Sequence, residues 1–298
     1  MYLIRRVEET LLELFSKGLL VGTTHTCIGQ EACAVGVINA LDKDKDIIFS
    51  NHRGHGHFLA YSGDLVGLLG EVMGKSIGVC GGIGGSQHLC KKNFYTNGVQ
   101  GGIVPVATGM AFAEKLKGSG AIVVVFIGDG TLGQGVVYEA FNISSLWELP
   151  ILFVLEDNKY AQSTPSYMQH AGNIAQRASI FNIESSELEV NDVMDVYKSA
   201  LYAVKYVREK IKPFFLVLHT YRLAPHSKGD DFRPKEELEY YRKRDPLMTL
   251  RDRLVSNNEN DVNEIEMEIE QKIKRTIEYV SKAPGLSWND FVKLVEEV

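Results

Sequence analysis

Residues 121–160 constrain the fold of this chain more than any other stretch. They begin with an apolar run, residues 121–127, that holds no polar side chain and is rich in β-branched residues. Such a run is typical of a strand buried on both faces of a parallel sheet. Gly128-Asp129-Gly130 follows, then an amphipathic segment, and then a second apolar run at residues 151–155. The pattern predicts a strand–turn–helix–strand crossover, and with it an α/β fold whose mostly parallel sheet is flanked by helices.

The turn after the first strand is compatible with two kinds of ligand. Gly128, Gly130 and Gly133 have the spacing of the dinucleotide-binding fingerprint. Asp129 argues against that ligand, because a pyrophosphate binds there on bare backbone amides and a carboxylate would repel it. A divalent cation between the carboxylate and a diphosphate removes this conflict, since Mg²⁺ takes oxygen ligands from one or two protein groups and from phosphates. The sequence therefore favours a Mg²⁺–diphosphate site.

Three groups are predicted to bind the Mg²⁺ ion. Asp129 supplies one side-chain oxygen and Asn158 a second, and the backbone carbonyl of Tyr160 is the third. Both side chains follow a predicted strand, and the carboxyl ends of parallel strands meet at one edge of a sheet. Between Gly130 and Asn158 lie 27 residues, a spacing that matches the thiamine diphosphate motif, a GDG turn followed at this distance by Asn.

The neighbouring segments extend this likeness to nearly the whole chain. Together they resemble the alpha subunit of the thiamine-diphosphate-dependent first component of 2-oxo-acid dehydrogenases. The segments that carry the resemblance are GDGTLGQ (128–134), EAFN (139–142), LWELP (146–150) and DNKY (157–160). The resemblance implies the thiamine-diphosphate-binding fold, with thiamine diphosphate and Mg²⁺ as cofactors. It also implies cofactor contacts from four consecutive residues, Gly128, Asp129, Gly130 and Thr131.

Composition argues against several other classes of protein. A formal net charge of −6 without a basic block argues against nucleic acid as the main partner, and no apolar stretch approaches the roughly 20 residues that span a bilayer. Charged residues at positions 5, 6, 8 and 9 argue against a signal peptide, so we expect a cytoplasmic protein. The four cysteines form no CxxC pair and read as reduced thiols. A metal cluster of Cys80, His88 and Cys90 is a less favoured alternative.

The densest group of ionisable residues is the string HRGHGH, residues 52–57, which follows a short strand candidate. Histidines two apart can converge on zinc, but no Asp, Glu or Cys stands nearby at ligand spacing. Arg53 offers a planar fork for a phosphate oxygen, which favours an anion site. The string is similar to that of the acetoin dehydrogenase branch of the family. The resemblance implies that His52 and Arg53 bind the cofactor and that His55 points toward the reacting carbon, and we interpret His57 as a helix-surface residue.

The remaining predicted site residues also rest on the resemblance. His25 lies in a segment similar to the family's HxxxGQEA, whose His faces the substrate end of the cofactor. The backbone around Gly98 and Gln100 is expected to meet the aminopyrimidine ring, and Gln100 stands where family members usually have an aliphatic residue. Arg222 is expected to contact the diphosphate, and His226 to bind the cofactor and act in catalysis. The loop after His226 is shorter than usual in the family.

The chain resembles half of an active site. In the family, the glutamate that activates the cofactor comes from a separate beta subunit, and the chain offers no convincing candidate, because Glu31 and Glu139 lie in helices that we interpret as scaffold. We therefore expect an alpha₂beta₂ heterotetramer that cleaves a 2-oxo acid or acetoin and transfers the fragment to a lipoyl acyltransferase. Two alternatives stay open: a transketolase-like or acyloin-forming carboligase half that uses an aldehyde acceptor, and a non-catalytic partner subunit.

A single thiamine-diphosphate-binding domain is expected to span residues 1–298, with a helical C-terminal extension from about residue 235. A break between two helices is expected after about residue 255 in this extension. Residues 166–190 carry only weak patterns and are predicted to be irregular.

Overall fold

The computed structural model describes residues 1–20, 22–227 and 231–296. The strands, in chain order, are β1 Ile47–Ser50, β2 Cys90–Lys91, β3 Phe94–Thr96, β4 Val123–Gly128, β5 Ile151–Asp157, β6 Tyr160–Ala161, β7 Thr164–Pro165, β8 Glu184–Glu189 and β9 Phe214–His219. The α-helices are α1 Tyr2–Ser16, α2 Glu31–Ile38, α3 His55–Ser62, α4 Leu65–Val72, α5 Ile103–Lys117, α6 Asp129–Leu132, α7 Gly135–Leu146, α8 Val193–Lys210, α9 Lys235–Arg242, α10 Pro246–Lys282 and α11 Trp288–Glu296. Ser166–Met168 and Ala175–Phe181 are short 3₁₀ helices.

A mostly parallel sheet forms the centre of the molecule. Its strand order is β2-β3-β1-β4-β5-β9-β8, and every neighbouring pair is parallel except β2 and β3. β4 and β5 pair in register from Val123 opposite Ile151 to Gly128 opposite Glu156, which confirms the predicted crossover. Both strands are almost wholly buried, as their continuous apolar runs indicate.

Helices cover both faces of the sheet. Side chains alternate along β4, so Val124 and Phe126 enter one core while Val123, Val125 and Ile127 enter the other. The first core also receives apolar side chains from α1, α2, α3, α4, α8 and α10, and the second receives them from α5, α7 and the 3₁₀ helix Ala175–Phe181. The predicted α/β fold is confirmed.

The chain reverses its direction of travel across the sheet between β1 and β4. After β1 it builds β3 on one side, and it then returns to build β4 and β5 on the other side. The carboxyl ends of β1 and β4 therefore flank a crevice at a topological switch point, where open α/β sheets bind their ligands. HRGHGH and the GDG turn follow these two ends.

The C-terminal extension is helical, as expected. Asp245 caps α10 by accepting a hydrogen bond from the Leu247 N–H at 3.0 Å. Asn258 has non-helical torsion angles (φ −158°, ψ 95°), so α10 is two helical segments joined by a kink, close to the expected break. Its second segment buries Ile273 and Val280 against the first core.

The prediction that residues 166–190 are irregular is wrong in one respect. β8 forms the parallel edge of the sheet beside β9, with Glu184 opposite Phe214. Its sequence, ESSELE, is polar and only partly buried, as edge strands commonly are. Within the described ranges, no helix has the length and apolar character needed to cross a membrane.

Candidate active site

A cavity of approximately 400 Å³ opens at the carboxyl ends of the central strands. Its wall includes every predicted site residue except His55 and Arg222. The predicted residues that line it are His25, His52, Arg53, Gly98, Gln100, Gly128, Asp129, Gly130, Thr131, Asn158, Tyr160 and His226. These residues come from six separate chain segments, so the fold brings together what the sequence keeps apart.

Asp129 and Asn158 are buried in the same wall. Asp129 begins α6 directly after β4, and its carboxylate accepts a hydrogen bond from the Ser166 hydroxyl. Asn158 donates from Nδ2 to Gln30 Oε1 at 3.1 Å, while its Oδ1 accepts from the Tyr160 N–H at 3.2 Å. These contacts orient the amide so that Oδ1 keeps a lone pair for a further partner. Burial raises the pKa of Asp129, and a bound cation would relieve this cost of holding the carboxylate charged.

The wall fits a Mg²⁺-bound diphosphate. Oxygens of Asp129 and Asn158 suit a hard cation, and the buried guanidinium of Arg53 suits a phosphate oxygen. Gln30 Nε2 is buried and has no hydrogen-bond partner among the described residues, which is the state expected of a donor that faces a ligand. A side chain at Gly130 would lie 2.7 Å from the Ala161 Cβ, so the close approach of the two segments requires glycine there.

Three histidines meet in this wall. The ring centroid of His25 lies 4.6 Å from that of His52 and 4.7 Å from that of His226. They form the one group of three or more potential His, Cys, Asp or Glu metal ligands found in the part of the chain that the structure describes. Cys80, His88 and Cys90 do not form such a group there.

Hydrogen bonds at the ring nitrogens argue against a metal in this group. A guanidinium nitrogen of Arg53 lies 3.3 Å from His226 Nδ1, and Gln100 Nε2 lies 2.6 Å from His52 Nδ1. An imidazole that accepts at Nδ1 carries its proton on Nε2 when neutral, so it presents a donor and no lone pair. Burial, followed by the positive charge of Arg53, lowers the pKa of His52 to about 2, so this ring is neutral.

Unlike His52 and Arg53, His55 does not line the cavity. The residue begins α3 and is fully buried, with Nδ1 at 3.0 Å from Glu8 Oε2 of α1 and Nε2 at 2.8 Å from Ser86 Oγ. Both ring nitrogens thus have partners in the scaffold, and a contact of His55 with a reacting carbon stays a prediction. His57 is also buried, 2.9 Å from Ser50 Oγ and 3.2 Å from Glu156 Oε1, so its interpretation as a helix-surface residue is wrong.

Arg222 lies behind the wall. Its side chain is buried, and Nη2 donates to the carbonyl of Gln162 at 2.8 Å, a residue that does line the cavity. A direct contact of Arg222 with the diphosphate therefore stays a prediction. The shortened loop after His226 includes residues 228–230, which lie outside the described residues.

Comparison with known proteins decides the family. The sequence model described as "Dehydrogenase E1 component" matches residues 1–288. The chain belongs to the dehydrogenase E1 component family. The resemblance and the enzyme class predicted from the sequence are confirmed.

Relatives of this E1 chain carry two kinds of name. A pyruvate dehydrogenase E1 component subunit alpha of Rickettsia bellii is 35% identical over 296 residues, covering 95% of this chain and 90% of the relative. Its counterpart in Zymomonas mobilis is 36% identical, covering 95% and 83%. The alpha subunit of the acetoin:2,6-dichlorophenolindophenol oxidoreductase of Bacillus subtilis is 35% identical, covering 94% and 86%. The family implies thiamine diphosphate as the cofactor, and the alpha-subunit names imply a beta subunit as a partner.

Six residues of the E1 chain that the sequence did not assign also line the cavity, among them Gln30, Gln87 and Glu156. Gln30 belongs to the same GQEA string as His25, so the string itself was the available signal. Glu156 lies near the end of β5, close to the predicted metal ligands. The sequence shows it only as one of several polar residues at the end of a strand, which does not assign it to the site. Gln87 had no signal of its own, because its position depends on a loop held from a distance.

That loop is the glycine-rich segment before Gln87. The buried carboxylate of Glu71, in α4, accepts hydrogen bonds of 2.6 to 3.2 Å from four of its backbone N–H groups. The donors are Cys80, Gly82, Gly84 and Gly85. One carboxylate thus gathers the loop and carries Gln87 to within 3.3 Å of His25 Nδ1.

Proposed function

We propose that this chain is the alpha half of a thiamine-diphosphate- and Mg²⁺-dependent enzyme that cleaves a 2-oxo acid or acetoin. The fragment passes to a lipoyl acyltransferase. The observation that carries the proposal is the meeting of Asp129, Asn158 and Arg53 in one cavity at the switch point of the sheet. Those groups meet the two needs of a metal-bound diphosphate, oxygen ligands for the cation and a cationic donor for the phosphate.

Each part of the wall has its own task in the proposed reaction. Side-chain oxygens of Asp129 and Asn158 and the carbonyl of Tyr160 hold Mg²⁺, while Arg53 donates to phosphate oxygens, with His52 beside it in the same wall. Bound thiamine diphosphate supplies a carbon nucleophile that afterwards stabilises a carbanion.

His25 and His226 act at the substrate end of the wall. The contact of Arg53 with Nδ1 of His226 leaves the proton of the neutral ring on Nε2, from which it can be given to a developing oxyanion. His25 lies against both other histidine rings and contacts the substrate there.

A beta subunit is proposed to supply the glutamate that activates the cofactor. Glu31 is bound to the Arg5 guanidinium, and Glu156 lies 3.2 Å from His57, so neither carboxylate is available for that task. Glu139 lies on the exposed side of α7. The arrangement is therefore an alpha₂beta₂ heterotetramer with the active site completed at the subunit interface.

Reconstitution tests this function. The chain is purified alone and together with its beta subunit, and thiamine diphosphate binding is measured by calorimetry with and without Mg²⁺. Turnover of pyruvate and of acetoin is followed with 2,6-dichlorophenolindophenol as electron acceptor. We expect weak binding and almost no turnover for the chain alone, and Mg²⁺-dependent binding and turnover for the assembly. Full turnover without the beta subunit would overturn the half-site, and tight NAD binding would favour the dinucleotide interpretation.

A further inference from the structure

The side chain of Gln100 bridges two walls of the cavity. Its Nε2 lies 2.6 Å from His52 Nδ1 and 3.4 Å from the Gly98 carbonyl oxygen, and its Oε1 lies 3.1 Å from Thr131 Oγ1. Rotating the amide by 180° would set Oε1 against the Gly98 carbonyl oxygen, two acceptors facing each other. The amide nitrogen of Gln100 therefore faces His52 and donates a hydrogen bond to its Nδ1.

This contact decides where the proton of His52 lies. A ring that accepts at Nδ1 must carry its proton on Nε2 unless it is doubly protonated. Double protonation is opposed by burial and by the nearby positive charge of Arg53, which lower the pKa of His52 to about 2. His52 thus has one fixed tautomer, with Nε2 as a neutral donor.

Thr131 completes the arrangement from the other side. Its hydroxyl donates to Gln100 Oε1, which occupies the amide oxygen and keeps the amide nitrogen turned toward His52. Thr131 lies two residues after Asp129, in the short helix that follows β4. A residue of the turn at the end of β4 therefore helps Gln100 to hold the tautomer of a ring at the end of β1.

We propose that Gln100 is a positioning residue that holds His52 as its Nε2-protonated tautomer, so that His52 donates a hydrogen bond to an anionic oxygen bound in the cavity. The oxygen belongs to a diphosphate or to a substrate carboxylate, and this identification rests on the proposed function. The tautomer itself does not.

The tautomer is measured first, on the full chain labelled with ¹⁵N in its histidines and without cofactor. The His52→Asn variant assigns the His52 signals. We expect an unprotonated Nδ1 and a protonated Nε2 in the wild type, a mixture of tautomers in Gln100→Leu, and an intermediate result in Thr131→Val. A protonated Nδ1 in the wild type, or an unchanged tautomer in a folded Gln100→Leu, overturns the proposal.

Gln87→Leu is the matched control. It removes the same group from a second glutamine of the same wall, one that lies beside His25 instead of His52. We expect the His52 signals to stay as in the wild type. A change of the His52 tautomer equal to that in Gln100→Leu would mean that general polarity of the cavity, not Gln100, sets it, and would overturn the proposal.

The next measurement, on the same labelled chain, determines which anion supplies the oxygen that accepts the hydrogen bond from His52. Magnesium pyrophosphate and pyruvate are titrated separately, and the source is the probe that shifts the His52 Nε2 signal. In Gln100→Leu the same shift should need about tenfold more of that probe, because a hydrogen bond to a charged group is weakened. A signal that neither probe shifts overturns the donation.

The assembled enzyme provides a second, independent readout. If His52 donates to the diphosphate, Gln100→Leu raises the Kd for thiamine diphosphate about tenfold and leaves the substrate KM unchanged. If it donates to the substrate, KM rises and Kd stays. An assembly that shows no thiamine-diphosphate-dependent turnover overturns the proposed function but not the tautomer, which the labelled chain reports without any cofactor.

Discussion

Two sets of buried charges in this molecule are arranged in opposite ways. In the scaffold behind the cavity, charges are paired: Arg5 Nη1 lies 2.8 Å from Asp245, and Glu8 lies 3.0 Å from His55. In the cavity wall, neither Arg53 nor Asp129 has an oppositely charged side chain within ion-pair distance among the described residues. We refer to Glu8 and His55 as the scaffold pair and to Arg53 and Asp129 as the cavity charges.

The pKa directions follow this difference. Burial by itself opposes ionisation of both members of the scaffold pair, yet their mutual attraction outweighs it, so the pKa of His55 is raised and that of Glu8 is lowered. The cavity charges shift the other way: burial lowers the pKa of Arg53 and raises that of Asp129. The scaffold stabilises its own charges, whereas the cavity needs charges from a ligand to complete it.

The largest expected effect is on a cavity charge. Asp129→Asn keeps the shape of the side chain but removes its negative charge and one metal-binding oxygen. We expect Mg²⁺-dependent affinity for thiamine diphosphate to fall on the order of a thousandfold, because a bound metal contributes several kcal/mol. Stability without cofactor should not fall, because Asp129 is a buried carboxylate without an ion-pair partner. Calorimetry and urea unfolding measure the two effects.

Asp157→Asn is the matched control, at the end of the neighbouring strand. Asp157 is buried but paired, 2.8 Å from both Lys159 Nζ and His219 Nδ1. We expect this variant to lose stability and to change cofactor affinity by less than about tenfold. Equal losses of affinity in the two variants would mean that the difference between paired and unpaired carboxylates does not govern cofactor binding.

The scaffold pair should behave in the reverse manner. His55→Gln leaves the Glu8 carboxylate buried without its partner, which costs about 3–5 kcal/mol of unfolding free energy. The double variant with Glu8→Gln should recover part of the loss, because no charge is left unpaired. Urea unfolding of all three variants measures this coupling. A His55→Gln variant that kept its stability and lost kcat would restore the catalytic role expected from the sequence.

HRGHGH shows how far a sequence pattern can assign roles. The six letters identified a dense group of ionisable residues correctly, and His52 and Arg53 do line the cavity. The string alone could not show that α3 begins at His55. It also could not show that His55 pairs with Glu8, which lies 47 residues earlier in the chain. A helix start turns successive side chains to different faces, so adjacent histidines need not share a site.

The crossover, β8 and Gln87 differ in how far their positions depend on nearby residues of the sequence. The crossover from β4 to β5 was predictable because continuous apolar runs and the GDG turn are local signals. β8 was missed because an edge strand is partly exposed and needs no apolar pattern. Gln87 was missed because Glu71, a residue of another element, determines where its loop lies.

A substitution of His226 tests the difference between the scaffold and the cavity wall, with a smaller expected effect. His226 lies in the cavity wall on a loop after β9, and a guanidinium nitrogen of Arg53 lies 3.3 Å from its Nδ1. We expect His226→Gln to lower kcat of the assembled enzyme about a hundredfold, the usual share of a residue that transfers protons. The urea midpoint should be unchanged, in contrast to His55→Gln. A large loss of stability with normal kcat would assign His226 to the scaffold.

The smallest effect concerns a histidine that lies close to the cavity yet is paired like the scaffold. His219 ends β9 between Asp157 at 2.8 Å and Glu187 at 2.9 Å, and the hydrogen bond to Asp157 raises its pKa. A raised pKa in the folded state means that the pair stabilises the protein below the unfolded-state value of about 6.5 and that this contribution is lost as pH rises through the folded-state pKa.

His219→Gln removes that contribution. We expect its urea midpoint to fall less than that of the wild type between pH 6 and pH 9. The dependence should shrink without vanishing, because the raised pKa of His55 acts in the same direction. A variant with the full wild-type dependence would show that His219 is not held charged by Asp157, so that closeness to the cavity, not pairing, decides how a buried charge behaves here.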